Sequence, residues 1–181
     1  ELVIRDWSSD VCSSDRIGDA ILATAVLEKI HQYYQNARID FLIRKGNESL
    51  FKEHPFIEKL YVWEKKGGKY LKLFKILRAV RKEKYDYLIN LQRFATTGFF
   101  TAFSLAHRKI GFKKNPFSFL FNLKIGHSIK NGMHEVERNQ LLIKHLTDSK
   151  FARPVLYPAP DDFLEVLPLK SGPYICISPS S

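Results

Sequence analysis

Arg16-Ile17-Gly18-Asp19-Ala20-Ile21-Leu22 sets a Gly-Asp pair at the head of a long apolar run. From Gly18 to Asn36, Leu22, Val26, Ile30 and Tyr33 recur at near-helical spacing, while Glu28, Lys29, Gln32 and Gln35 supply a wetter side. A helix that opens on a carboxylate belongs at the mouth of an α/β sheet, where such folds do their chemistry. Gly18 lets the backbone turn tightly, and Asp19 falls in the first turn, where the helix dipole favours a negative side chain. Two readings of Asp19 stay open on composition alone. It caps the helix, or it is a general base aimed across a cleft at an acceptor hydroxyl.

The ten residues before Arg16, Asp6-Trp7-Ser8-Ser9-Asp10-Val11-Cys12-Ser13-Ser14-Asp15, match the translation of a common short-read sequencing adapter (GAC TGG AGT TCA GAC GTG TGC TCT TCC GAT). Residues 1–15 are therefore read as an adapter scar and kept out of fold reasoning. Asp15 fits the natural chain equally well, and Glu1 to Arg5 is either the remnant of a first strand or more of the scar.

Downstream, β-rich and helical runs alternate. Arg38 to Arg44 (RIDFLIR) suits a buried strand, and Asn47 to His54 a short helix stopped near Pro55. Lys59 to Trp63 (KLYVW) is a second strand, followed by a turn at Lys65-Lys66-Gly67-Gly68. Tyr70 to Lys84 is the clearest amphipathic helix, with Leu73, Ile76, Leu77 and Val80 in one stripe and cations opposite. Asp86 to Gln92 is the next strand, Ala95 to Ala106 is helix or loop, Lys109 to Phe112 is strand-like, and Phe117 to Ile125 is an apolar run of open assignment. His134 to Leu146 reads as a helix, Arg153 to Pro173 as a proline-rich linker with room for one short helix, and Tyr174 to Ser178 (YICIS) as a last strand. Strands alternating with helices predict an α/β, Rossmann-like, doubly wound parallel sheet.

The composition, 45% apolar and 27% charged with 14 phenylalanines, is that of a globular domain with a sizeable core. No apolar run reaches the ~18–20 residues that span a bilayer. The formal charge is +10; Glu1, Asp6, Asp10 and Asp15 against Arg5 put −3 on residues 1–15, leaving +13 on residues 16–181. Such an excess calls for an anionic partner: a phosphorylated glycan, a nucleotide, nucleic acid or an acidic membrane surface. Cys12 and Cys176 alone exclude a disulfide framework and a cysteine metal cluster, which fits a reducing cytoplasm. There is no G-x-x-x-x-G-K-[ST] loop, full G-x-G-x-x-G, H-E-x-x-H or G-x-S-x-G, and His107 and His127 lack metal-ligand spacing.

Several polar groups are placed to meet a ligand. Asn90 and Gln92 end a strand at the expected cleft edge, to bind ligand hydroxyls or to cap loop backbone. Arg93 and the Thr96-Thr97 pair follow, placed to contact phosphate or carboxylate, the threonines alternatively capping the next helix. Arg108, Lys109, Lys113 and Lys114 make a basic cluster, either a solvated face or a seat for carboxylate and phosphate. His134 and Arg138, one turn apart, bind acceptor or brace a domain junction. Lys65, Lys66, Lys69, Lys72 and Lys75 either face solvent or ride an anionic membrane. A basic nucleic-acid-binding α/β module is the competing class: the charge permits it and the aromatics could stack bases. Against it, those aromatics fall mostly at strand and helix core positions, and no RNA-binding motif is present.

Arg16 to Leu27 (RIGDAILATAVL) resembles the opening of bacterial glycosyltransferase family 9, the ADP-heptose:lipopolysaccharide heptosyltransferases. Its members start with a strand, a polar loop and then R-I-G-D-hydrophobic-hydrophobic-L-T-x-P-hydrophobic-L; Ala25 stands where the family has proline. Tyr85 to Gln92 (YDYLINLQ) is similar to the family's Y-D-x-hydrophobic-I-D/N-x-Q strand, and His107 to Phe112 (HRKIGF) to its A-x-x-R-I-G-F segment. His134 to Asn139 (HEVERN) is similar to H-x-V-x-R-N/Y, and Tyr174 to Pro179 to the strand that opens the second domain.

The resemblance implies the N-terminal half of a GT-B glycosyltransferase. Residues 16–152 are then an acceptor-binding Rossmann-like domain, and 153–181 a linker and the first strand of a truncated donor-binding domain. It implies an inverting transfer of heptose, or of another sugar in a GT-B relative with a different donor, to the lipopolysaccharide inner core. Asp19 is then the catalytic base, with Gly18, Asn90, Gln92, Arg93, Arg108, Lys113, His134 and Arg138 as substrate-binding candidates. No metal or cofactor is expected, a nucleotide sugar such as ADP-heptose being the second substrate, bound through the donor domain. The implied partner is the anionic lipopolysaccharide core and not nucleic acid, met in the cytoplasm with peripheral contact at the inner membrane.

Overall fold

Residues 39–43 are apolar but for Asp40 because their strand is covered on both faces. The computed structural model, which describes residues 2–5, 17–64, 66–127, 132–170 and 172, buries β2 (Ile39–Arg44) along most of its length. It lies in a six-stranded parallel sheet with β1 (Leu2–Arg5), β3 (Ile57–Trp63), β4 (Tyr87–Asn90), β5 (Arg108–Phe112) and β6 (Leu123–Ile125), in the order β3-β2-β1-β4-β5-β6. Leu2–Arg5 takes the middle of that sheet, its backbone in register with Ile39–Leu42 on one side and Tyr87–Asn90 on the other. Residues 6–16, with Arg16, and the segment Tyr174 to Ser178 lie outside the described residues.

The helices fall on two faces. On one, α1 (Ile17–Tyr33) and α4 (Glu135–Leu141) cover Ile39, Phe41, Ile43, Ile89, Ile110 and Phe112. On the other, α2 (Lys69–Glu83) and α3 (Ala95–Phe103) cover Leu42, Tyr61, Trp63 and Leu88. In α2, Leu73, Leu77 and Val80 are buried, as their 3.6-residue spacing predicts. Asp40, fully buried on the α2 face, accepts a hydrogen bond from the Tyr85 hydroxyl. Burial raises its carboxyl above the ordinary range against the opposing pull of Tyr85 and Arg38.

Three expectations change. Lys29 is not on a wet side. It is buried, and its Nζ donates to the carbonyls of Asp148 (2.8 Å) and Lys150 (2.5 Å) and pairs with the Asp148 carboxylate at 3.1 Å. Residues 148–157 run back along α1, with Val155 N bonded to Thr24 Oγ1 (3.0 Å) and Tyr157 Oη to Glu28 Oε1 (2.9 Å). The helix expected over His134 to Leu146 ends at Leu141, because the next amides bond three residues back, as Ile143 N does to Gln140 O (3.1 Å). Residues 47–54 form only a short 3₁₀ turn, Glu48–Phe51. The open run 117–125 divides into a 3₁₀ turn, Ser118–Leu120, and the edge strand β6. Within the linker, α5 (Pro160–Val166) leaves Phe163 and Leu164 exposed.

His54 is buried between Phe51, Phe56 and Tyr157, and burial drops its pKa to about 4 from 6.5. The unfolded chain therefore binds more protons between those values, so this part of the stability is complete above pH 6.5 and is lost as pH falls toward 4. By about pH 5 the loss should reach about 2 kcal/mol, or about 5 °C in Tm for a chain of this size. Calorimetry across that range should show the slope, and His54→Phe should flatten most of it. His127 and His145, also held low first by burial, add to the same sign. A slope that His54→Phe leaves intact would place its origin elsewhere.

Candidate active site

The order β3-β2-β1-β4-β5-β6 reverses its direction of growth between β1 and β4. In an open parallel sheet that reversal leaves a crevice at the carboxyl ends of those strands. The head of α1, the loop after β4 and the exits of β5 and β6 all lie at that edge. Adjacent strands stand ~4.8 Å apart, so the rim from β1 to β6 is only about three strand spacings wide.

α1 presents Gly18 and Asp19 in its first turn, Asp19 half-buried. Gly18 is not there for a tight turn, since it is part of the helix and has no positive φ. Among the described residues, a Cβ built on it meets nothing within 4 Å. Asp19 has bonding contacts of its own and sits where the helix dipole favours its charge.

After β4 the chain is fixed by its own amides. Asn90, fully buried, donates from Nδ2 to Thr101 Oγ1 (3.0 Å) and accepts the Gln92 amide on Oδ1 (2.9 Å). Its carboxamide therefore turns into the protein and shapes the loop, leaving Gln92 and Arg93, both half-buried, as the side chains at the edge. Asn115 clamps this loop from the β5 side. Its Nδ2 donates to Gln92 O (3.3 Å) and Phe94 O (3.0 Å), and its Oδ1 accepts Phe117 N (2.9 Å).

The five-residue β5 divides the expected basic cluster. Arg108 pairs with Tyr87 at the amino end of the sheet, whereas Lys113 follows the carboxyl end and bonds back to Ile125 O at 2.8 Å. At ~3.3 Å per residue the two backbones are roughly 16 Å apart. Arg108 thus lies on the opposite edge from the crevice, beside Asp86 and His107. Gly111 between them is required by packing: a Cβ there would stand 2.5 Å from the Phe121 ring.

Lys114 remains at the rim, and the structure adds a residue that spacing rules did not find. His127, two residues past β6, is 6% exposed and packs edge-on against Phe112. Burial chiefly, then the nearby charges of Arg93, Arg138 and Lys114, push its imidazole below the ordinary range, with Glu135 pulling the other way. Neither ring nitrogen has a hydrogen-bond partner among the described residues. The Arg138 Nε and Asn139 Oδ1 close by are likewise buried without one. Nothing in the linear pattern marks His127, because its company comes from three other elements.

His134 and Arg138 reach this corner in structural roles. His134 caps α4, its Nδ1 accepting Val136 N (3.3 Å) and its own amide donating to Glu137 Oε2 (2.7 Å), a capping box. Arg138 donates to Met133 O and pairs with Glu135. Arg93, Lys114 and Arg138 thus gather around His127, and Asp19 stands at the head of α1 on the same edge of the sheet. Among the described residues no group of three or more His, Cys, Asp or Glu could hold a metal ion, and no helix is long and apolar enough to cross a membrane.

The family profile of glycosyltransferase family 9 (heptosyltransferase) matches residues 73–181. Lipopolysaccharide heptosyltransferase 1 of Campylobacter coli is 26% identical over 136 residues, covering 75% of this chain and 38% of that protein. Among solved structures, the glycosyl transferase family 9 protein of Veillonella parvula DSM 2008 superposes with a TM-score of 0.75 at 20% identity, over 94% of this chain and 48% of its own. Escherichia coli ADP-heptose lps heptosyltransferase II superposes with a TM-score of 0.71 at 14% identity, over 94% of this chain and 50% of its own. The chain therefore spans about half the length of the solved chains, and less of the Campylobacter protein.

Proposed function

The chain belongs to glycosyltransferase family 9, and from that membership and its crevice we propose that the protein carrying it transfers a heptose or related sugar from a nucleotide-sugar donor to the lipopolysaccharide inner core, inverting the anomeric carbon. Residues 16–152 are its acceptor side, and 153–181 lead into the donor side, in the GT-B arrangement of two facing halves. The observation that carries the reading is the placement of Asp19, a carboxylate in the first turn of α1 at the switch point, on the same edge of the sheet as the cations around His127.

In this reading the Asp19 carboxylate takes the proton of an acceptor hydroxyl. The oxygen attacks the anomeric carbon as the bond from that carbon to the donor diphosphate breaks, and the leaving nucleoside diphosphate carries away the electron pair. A single displacement needs one base and inverts the centre. Gly18 leaves room for the sugar at the helix head, while Gln92 and Arg93 reach the acceptor from the clamped loop. Arg93, Lys113, Lys114 and the His134–Arg138 corner meet its anionic groups, since guanidinium forks suit carboxylates and phosphates. The buried nitrogens of His127 and Nε of Arg138, without partners among the described residues, await polar groups of a ligand. The donor diphosphate is held from the facing half without a metal, and the enzyme works on the cytoplasmic side of the inner membrane.

The test is transfer by the complete protein from ADP-heptose to inner-core lipopolysaccharide, with the anomeric configuration of the product read by NMR. An inverted heptoside is expected, and the 181-residue chain alone should bind acceptor weakly without turnover. Transfer from another nucleotide sugar only would reassign the donor. Turnover by the isolated chain would refute the two-half arrangement, and salt-dependent binding of oligonucleotides without binding of glycan would refute the reading altogether.

A further inference from the structure

The α2/α3 face carries an aromatic ridge that the transfer reaction does not use. Phe74 of α2 meets Phe99 of α3 edge-on at 6.0 Å. Phe99 contacts Phe103 at 4.6 Å and Phe117 at 5.9 Å, and Phe117 contacts Phe119 at 6.4 Å. Phe74, Phe103 and Phe119 are 54%, 44% and 69% exposed, and Leu71 beside them 73%. Most of the described aromatics are buried or half-buried, as their strand and helix positions predict, and the exposed rings of this ridge are exceptions. Between α2 and α3 the ridge borders an open groove of about 530 Å³, floored by Leu77 and Phe99 and edged by Arg78, Arg81 and Lys82. A contiguous apolar patch rimmed by polar side chains marks an interaction surface.

The charge beside it selects the partner. From Lys69 to Glu83, α2 has six cations and a single acid. Lys72 is paired with Glu64 at 2.6 Å, and Glu83 is taken by Arg38 (3.4 Å) and Lys59 (3.2 Å). Lys75, Arg78, Arg81 and Lys82 have no carboxylate partner among the described residues. We infer that this face docks on an anionic lipid surface, the phenylalanines entering the headgroup boundary and the unpaired cations meeting lipid phosphates. An apolar strip of Phe and Leu flanked by Lys and Arg is the makeup of an interfacial helix, and juxtamembrane cations are drawn to acidic leaflets. The rings pack against one another, Phe99 meeting Phe74 and Phe117 edge-on, rather than standing as separate platforms, which suits acyl chains better than stacked bases. Through Phe117 and Phe119 the ridge reaches the loop that leaves Lys113 and Lys114 at the crevice, so docking would set the crevice rim beside the lipid. The inference goes beyond the transfer reaction and stands or falls without it.

Cosedimentation of the 181-residue chain with vesicles, no sugar nucleotide present, tests it. The chain should bind phosphatidylglycerol vesicles at least tenfold better than phosphatidylcholine vesicles at low salt. Phe74→Ser with Phe103→Ser should weaken binding to phosphatidylglycerol at least tenfold. Arg78→Glu with Arg81→Glu, exposed charges that the fold does not need, should abolish the lipid preference. Lys52→Glu with Lys144→Glu, the same charge change on the α1/α4 face, should leave binding within twofold. Equal binding to both vesicles, or equal loss from the control pair, would overturn the proposal. So would sedimentation showing that the phenylalanine pair breaks a dimer without changing vesicle binding, or tighter binding of a single-stranded oligonucleotide through Arg78 and Arg81.

Discussion

Asp19→Asn in the complete protein is expected to lower transfer by roughly 10²–10⁴-fold, the range a positioned general base contributes, while the fold survives. The substitution keeps the size of the side chain and one accepting oxygen, while it removes the charge and turns the other oxygen into an NH2 donor. At the head of α1 that charge is worth about 0.3–1 kcal/mol to the helix, or about 1–4 °C in Tm for a chain of this size. The two readings of Asp19 therefore separate in one pair of measurements. A base gives a collapse in kcat at nearly constant Tm, with KM for the donor little changed. A cap gives a modest fall in Tm at nearly constant kcat, and that result would remove Asp19 from the mechanism. Gly18→Ala sharpens the distinction, because a Cβ there meets nothing within 4 Å among the described residues. A loss of transfer at unchanged Tm then points to a ligand that needs the space.

The sheet was readable because its signals are local. RIDFLIR is apolar enough to be buried on both faces, and the Leu73, Leu77 and Val80 stripe fixes the face of α2. Where the reading failed, the deciding contact came from far along the chain. Lys29 looks solvated beside Glu28, yet it is buried under residues 148–150, more than a hundred positions away. Arg108 and Lys113 look like one cluster because they are five positions apart, but an extended strand carries such neighbours to opposite edges of the sheet. The motif residues divide in the same way. Tyr85 and Gly111 are explained by a buried aspartate and by the ring of Phe121. His134 is explained by the start of α4. Asp19 sits in the first turn of α1 with bonding contacts of its own, so its position alone fits a cap and a base equally, and the Asp19→Asn pair of measurements decides between them.

Gly98→Ala should be strongly destabilising, since of the described glycines Gly98 is the one whose added Cβ would meet the nearest atom. Gly98 lies in α3 with an ordinary helical backbone, where alanine is the better helix former by about 1 kcal/mol, so local propensity predicts stabilisation. Its Cβ, however, would stand 1.9 Å from Asn115 Oδ1 and 2.7 Å from Cγ. Those atoms cannot yield cheaply, since Asn115 is 2% exposed and spends its carboxamide on Gln92 O, Phe94 O and Phe117 N. Losing three such bonds at about 1 kcal/mol each, with overpacking added, outweighs the propensity gain and leaves a net loss of about 3 kcal/mol, or about 10 °C in Tm. Asn115→Ala alone, which loses the same three bonds, should cost about 3 kcal/mol, and Gly98→Ala added to it nothing further, because the clash has gone. That strong non-additivity is the signature of two residues sharing one space. If the two losses simply add in thermal melts, the close packing of Gly98 on Asn115 is refuted. The functional consequence follows from what the clamp holds. Asn115 fixes the carbonyls on either side of Arg93, so freeing it loosens Gln92 and Arg93 at the crevice. Gly98→Ala in the complete protein should therefore raise KM for the acceptor even at temperatures where the fold is intact, and the donor KM should stay unchanged.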